Sequence, residues 1–241
     1  MDSVEALARQ NRLLNAIPKS ELEHLLPHME RLSLFPRQVL YRQGTAVEYV
    51  HFPITGVLSM IASTHDGETV EVASVGNEGF TEVTAILSSQ QARGRQGTVM
   101  RVVTQIPGSV IRLKADVFET ALDQNIELNR CVRRYLSVLF THLVLSVSCN
   151  RLHSLEQRCA RWLMSCVDRS QYEEIAVTQE LLAEMLGVRR QSVDHVLGEL
   201  ESQQMIECLR GSIKINDQKR LSEVACECYH LAKERLDSFL A

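Results

Sequence analysis

Two guanidiniums, a carboxamide and a hydroxyl stand in a row at Arg189-Arg190-Gln191-Ser192, followed by an imidazole at His195. These groups recognise hydrogen-bonding edges and anions. No nucleophile has a base beside it and no metal triad accompanies the group, so catalysis is not expected. A guanidinium can donate two parallel bonds to guanine O6 and N7, and a carboxamide can pair with adenine N6 and N7. Arg190, Gln191 and His195 are therefore candidates for reading base edges, with His195 one helical turn beyond Gln191. Arg189 and Ser192 suit phosphates, which set register without carrying sequence information.

The flanking residues must hold that group outward. Leu181, Leu182, Met185 and Leu186 give one helix a buried side, and Ala183 is small where two helices would cross. Gly187 can end that helix in a left-handed state without Cβ strain. Val193, Val196, Leu197 and Leu200 then repeat at i, i+3, i+4 and i+7, the spacing of a second helix packed on the first. Met205–Asp217 reads as two short strands around Arg210-Gly211, a wing whose Arg210, Ser212 and Lys214 face phosphates. A plain helical hairpin with solvated arginines would not need the wing.

Of the 241 residues, 45% are hydrophobic and 23% charged, with a net charge of -4. From Arg151 onward 12 Lys/Arg stand against 15 Asp/Glu, so any nucleic-acid surface must be a local basic patch. The N-terminus has no apolar signal run, and no segment has the length and apolarity of a membrane span, so a cytoplasmic protein is expected. Seven irregularly spaced cysteines argue against a disulfide framework. Cys226-Glu-Cys228-Tyr-His230, with Cys208, raises zinc chemistry. On one helix, however, Cys226 and Cys228 would point about 200° apart. They are read as packed thiols, and no metal site is assigned.

Hydrophobic period divides the chain. Residues 1–120 begin with helical segments, including a capping-box pattern at Ser20–Glu23. They continue as short strands between Gly and Pro turns: Tyr49–Phe52, Val57–Ala62, Thr69–Val75, Val99–Ile106 and Ser109–Leu113. That punctuation predicts an antiparallel β-barrel or jelly roll. Residues 121–149 form a long helix on which Val132, Leu136, Leu139 and Leu143 make a 4-3-4 seam, read as an interface for a second copy of the chain, with a core helix inside one monomer as the alternative. Leu128, Phe140 and Val147 flank that seam and face the barrel. A break is expected near Cys149-Asn150, and residues 150–241 form the winged helix-turn-helix. The fold class is α+β.

Thr178–Val193, Cys149–Leu163 and Tyr49–Ser59 together give the chain a resemblance to the cyclic-AMP-receptor and fumarate-nitrate-reduction (Crp/Fnr) type of bacterial transcription regulators. The resemblance implies a homodimer that binds double-stranded promoter DNA and contacts RNA polymerase. It also implies an N-terminal cyclic-nucleotide-binding-like domain open to a small effector. Positions matching Arg190, Gln191 and His195 are base readers in that family, although the third is often arginine. Gly76, Glu78, Arg93, Arg95 and Thr98 are the candidate effector residues. The two arginines lack the adjacent hydroxyl residue that holds a cyclic phosphate, which argues against cyclic AMP. No cysteine precedes Cys131, which argues against an N-terminal iron–sulfur cluster. His24, His28, His51 and His65 show no haem pattern, so the cofactor is left unknown. The competing expectation is a ligand-binding or structural dimer whose C-terminal module binds a protein.

Overall fold

The computed structural model describes residues 3–87, 98–170 and 172–240. Three short helices, α1 (Val4–Ala8), α2 (Arg12–Asn15) and α3 (Lys19–Leu25), precede β1 (Glu30–Leu34), β2 (Val39–Tyr41), β3 (Tyr49–Ser63) and β4 (Thr69–Val75). Then come α4 (Val83–Leu87), β5 (Arg101–Lys114), α5 (Ala115–Gln124) and the long α6 (Ile126–Leu152). The Ser20–Glu23 pattern does not cap α3, which starts at Lys19 with Pro18 as its N-cap.

The expected barrel is not formed. The N-terminal strands make one open sheet in the order β1-β5-β3-β4, with β2 also paired to β5. Strand length explains the difference. Two runs read separately as Tyr49–Phe52 and Val57–Ala62 fuse into the 15-residue β3, and two others fuse into the 14-residue β5. With fewer and longer strands, none among the described residues links β4 back to β1. Gly56 and Gly108 permit the fusion. A Cβ on Gly56 would lie 2.5 Å from the Ile106 carbonyl oxygen, and one on Gly108 would collide with the Thr55 backbone. The β3–β5 register shifts on either side of Thr55 and Val57, so bulges supply the bend. Pro53 survives inside β3 because β4 joins only from Leu58 onward.

Phe52, Phe80 and Phe118 pack with ring centroids 5.3–5.4 Å apart, and Tyr135 of α6 joins Phe80 at 5.2 Å. The Tyr135 hydroxyl donates to the Phe80 carbonyl at 2.7 Å. This anchorage rotates α6 away from the expected seam. Val132 and Leu139 are buried in the core of their own chain, with Leu136 and Leu143 half-buried against it. Phe140 and Val147, expected to face inward, instead point outward with Val144; they are 67%, 72% and 48% exposed. The outward apolar stripe keeps 4-3 spacing but lies on a different face of the helix.

The chain breaks after α6 at His153-Ser154 rather than at Cys149-Asn150. Ser154 and Gln157 form a reciprocal capping box, at 3.1 and 3.3 Å, that opens α7 (Leu155–Ser170). There follow β6 (Glu174–Ile175), α8 (Gln179–Leu186), α9 (Arg190–Ser202), β7 (Ile206–Leu209), β8 (Ser212–Ile215), α10 (Gln218–Val224) and α11 (Glu227–Leu240). The second sheet has the order β6-β8-β7. Helix α11 packs along α6, while α6 and α8 pack against β4. Val57, Ile61, Val103 and Ile106 of the first sheet share a core with Trp162, Leu163, Leu182 and Val193. The two halves are thus joined by apolar packing. Among the described residues no helix is long and apolar enough to cross a membrane.

Gly56 combines a φ of 87° with the blocked Cβ position. Gly56→Ala should therefore lower stability by at least about 1–3 kcal/mol, read as a shift in the urea midpoint. An unchanged midpoint would show that β3 and β5 do not cross this closely.

Candidate nucleic-acid interface

The helix-turn-helix is built by local hydrogen bonds. Thr178 caps α8 by accepting from the Leu181 amide at 3.2 Å. Gly187, at φ 63° and ψ 41°, ends the helix in the left-handed region. The Val188 amide reaches back to the Ala183 carbonyl at 3.0 Å and the Gly187 amide to that of Glu184, which satisfies two terminal carbonyls. The chain then reverses into α9, whose Val193, Val196, Leu197 and Leu200 are buried.

Arg189, Arg190, Gln191, Ser192, Asp194 and His195 are all exposed, as expected for a reading face. Arg189 provides no side-chain cap, so first-turn amides of α9 face outward at the positive end of the helix dipole. Arg190 is held by acidic and amide neighbours: Glu180 at 2.6 Å, Gln179 at 3.3 Å and Asp194 at 3.8 Å. His195 Nε2 lies 3.5 Å from Glu199. These pairs are solvent-exposed, and such pairs contribute about 0.2–1 kcal/mol. A bidentate base contact discriminates by about 1–3 kcal/mol. Glu180 and Gln179 hold the guanidinium beside the leading turn of α9.

In the wing, Gly211 takes a φ of 86° between β7 and β8, leaving Arg210 and Lys214 exposed. Ser212 is less free than expected, since its hydroxyl donates to Glu174 at 2.6 Å.

Of the candidate effector residues, Glu78 lines a cavity with Arg12, Asn77, His142 and Arg169. Arg93 and Arg95 lie outside the described residues. Thr98 is buried, and its hydroxyl donates to the Met100 carbonyl at 3.1 Å. Both Glu78 oxygens are engaged: Oε1 accepts from Arg169 Nε of α7 at 2.8 Å and Oε2 from the Gly76 amide at 3.0 Å. Burial by itself would raise the Glu78 carboxyl, but the Arg169 charge and hydrogen bond outweigh it and hold the group below the usual carboxylate range. Nearby, Glu71 accepts from Ser59 and from the Trp162 indole at 3.1 Å, while burial pushes its carboxyl up. Arg101 pairs with Glu184 of α8. Arg169, Trp162 and Glu71 escaped the sequence reading because each pair spans about ninety residues and follows no local spacing. A separate group, Cys149, His153, Cys226 and Cys228, converges at the far end of α6.

Residues 31–125 match the model of the cyclic nucleotide-binding domain, and residues 157–224 match that of the Crp-like helix-turn-helix domain. Among solved structures, FixK2 from Bradyrhizobium japonicum is similar at a TM-score of 0.67 and 15% identity, covering 82% of this chain and 98% of that one. The c-di-GMP-responsive global regulator CLP of Xanthomonas campestris gives a TM-score of 0.67 and 16% identity, over 82% and 99% of the two chains. TTHB099, a transcriptional regulator of the CRP family from Thermus thermophilus, gives 0.65 and 16%, over 81% and 96%. At these identities the likeness speaks for the fold. No curated protein matches the chain.

Arg169→Met would leave Glu78 buried without its partner, which costs about 3–5 kcal/mol in such pairs. Because the Glu78 carboxyl is depressed in the folded state, its stabilisation is present above the ordinary carboxylate pKa and lost as pH falls through the folded value. Denaturant titrations across acidic pH should show a decline for the parent and a flatter one for the variant. Equal curves would mean that the pair does not couple the halves.

Proposed function

The chain belongs to the Crp/Fnr type of DNA-binding transcriptional regulators, and on that premise we propose that it acts as a homodimer reading a roughly two-fold-symmetric promoter site. Its domains are those of a regulator rather than an enzyme. The observation that carries the reading is the exposed leading turn of α9, where Arg190, Gln191 and His195 project beyond a helix packed firmly on its inner side. Arg190 reads a guanine edge after leaving Glu180, Gln191 reads the neighbouring base pair, and His195 reaches a base one turn on. Arg189, Ser192, Arg210 and Lys214 meet phosphates. Half-sites lie about one helical turn apart, about 34–36 Å.

Dimerisation is assigned to the outward stripe of α6, Phe140, Val144 and Val147, because three large apolar side chains at heptad spacing otherwise face water. A contact with RNA polymerase belongs to the same reading. Control by a small effector in the N-terminal domain is also part of it. Cyclic AMP is set aside because Glu78, the acid a ribose would need, already holds Arg169.

Selection from random DNA followed by titration at two salt concentrations tests the readout. Arg190→Ala should lose about 1–3 kcal/mol of preference at one position of each half-site, while Lys214→Ala should weaken all sequences alike and lessen the salt slope. If Arg190→Ala binds every sequence as the parent does, α9 is not the reader. Phe140→Asp should shift sedimentation from dimer to monomer, and an unchanged dimer would place the interface elsewhere.

A further inference from the structure

Away from the reading helix, α6 ends in a group of side chains that DNA recognition leaves unused. Cys149 lies in the last turn of α6 and His153 is its C-cap; Cys226 follows α10, and Cys228 sits in the first turn of α11. Cys149 Sγ is 3.5 Å from Cys226 Sγ, and Cys228 Sγ is 3.7 Å from His153 Nδ1. One ligand atom from each of the four lies within 4.8 Å of all the others. The three cysteines are 0%, 2% and 3% exposed. They form a small cluster of their own with Leu145, separate from the two large apolar cores. We propose that Cys149, His153, Cys226 and Cys228 bind a single zinc ion through three thiolates and one imidazole.

The distances fit a mononuclear tetrahedral site. Zinc–sulfur bonds of about 2.3 Å and zinc–nitrogen bonds of about 2.0–2.1 Å imply ligand-to-ligand edges of about 3.5–3.8 Å. A disulfide would use two of the sulfurs, bonded at about 2.05 Å, and would give the third thiol and the imidazole no role. An iron–sulfur cluster interposes several atoms between its thiolates and spreads them farther apart than they stand here. The imidazole is also oriented for the task. Its Nε2 lies 3.2 Å from Glu227 Oε1, which leaves Nδ1 turned to the sulfurs, the carboxylate–histidine–metal arrangement of zinc sites. Arg161 lines the same cavity as Cys228, and its positive charge offsets the net negative charge of three thiolates on a divalent ion.

Cys226 and Cys228 converge because they do not share a helix. Ala225 is extended, at ψ 145°, and α11 begins only at Glu227, which removes the angular objection that an unbroken helix would raise. Both cysteines lie beyond residue 224, where the matched helix-turn-helix region ends. The ion would fasten the end of α6, and the His153-Ser154 joint that leads into α7, to the link between α10 and α11.

The test uses the full chain, reduced and stripped of metal, then loaded with zinc or cobalt and gel-filtered. About one equivalent of zinc per chain is expected, released with proton uptake on acidification. Cobalt should give thiolate charge-transfer absorption with tetrahedral d–d bands. Cys149→Ser and Cys226→Ser should lose metal binding at least tenfold, Cys208→Ser should retain it, and Glu227→Gln should weaken it about tenfold. Should the serine variants fail to fold, His153→Cys decides the matter: it should hold metal with stronger charge-transfer bands from a fourth thiolate. No retained metal, iron with acid-labile sulfide, a Cys149–Cys226 disulfide in its place, or a cobalt spectrum unmoved by His153→Cys would each overturn the site.

Discussion

The buried ion pair between Glu78 and Arg169 is the contact on which the arrangement of this molecule turns. Its two side chains are 5% and 10% exposed, so water screens them little, and each would be costly without the other. It joins the turn that follows β4 to the first helix of the DNA-binding half. The Trp162–Glu71 hydrogen bond and the apolar contacts of Val57, Ile61, Val103 and Ile106 lie along the same junction. Helices α8 and α9 share that core, so the direction in which α9 presents Arg190 is set by how α7 sits on the sheet. The pair also engages Glu78, one of the acids expected for an effector site.

Legibility in the sequence followed the range of the interactions. The helix-turn-helix was plain because its determinants are local: the left-handed Gly187 and the i, i+3, i+4, i+7 apolar set from Val193 to Leu200. The wing was legible for the same reason. The sheet was misread as a barrel because a glycine inside a strand reads like a glycine ending one. Only the facing positions of Gly56 and Gly108, about fifty residues apart, show that each serves a close crossing. On α6 the period was right and the phase wrong. Two apolar stripes run along that helix, and spacing alone does not say which one Tyr135 pins inward.

The C-terminal cysteines illustrate the same limit. Cys226 and Cys228 look incompatible on a continuous helix, and their partners Cys149 and His153 lie over seventy residues earlier. The extended backbone at Ala225 and the helix end at His153 bring the four together at the joint between α6 and α7. That joint and the Glu78–Arg169 pair hold opposite ends of α7, the element that orients the reader.

A structure of the chain bound to a selected DNA site tests the central claim most directly. The leading turn of α9 should lie in the major groove, with Arg190 released from Glu180 and within hydrogen-bond reach of a base edge. Finding α9 away from the groove, with Arg190 still paired to Glu180, would contradict the account.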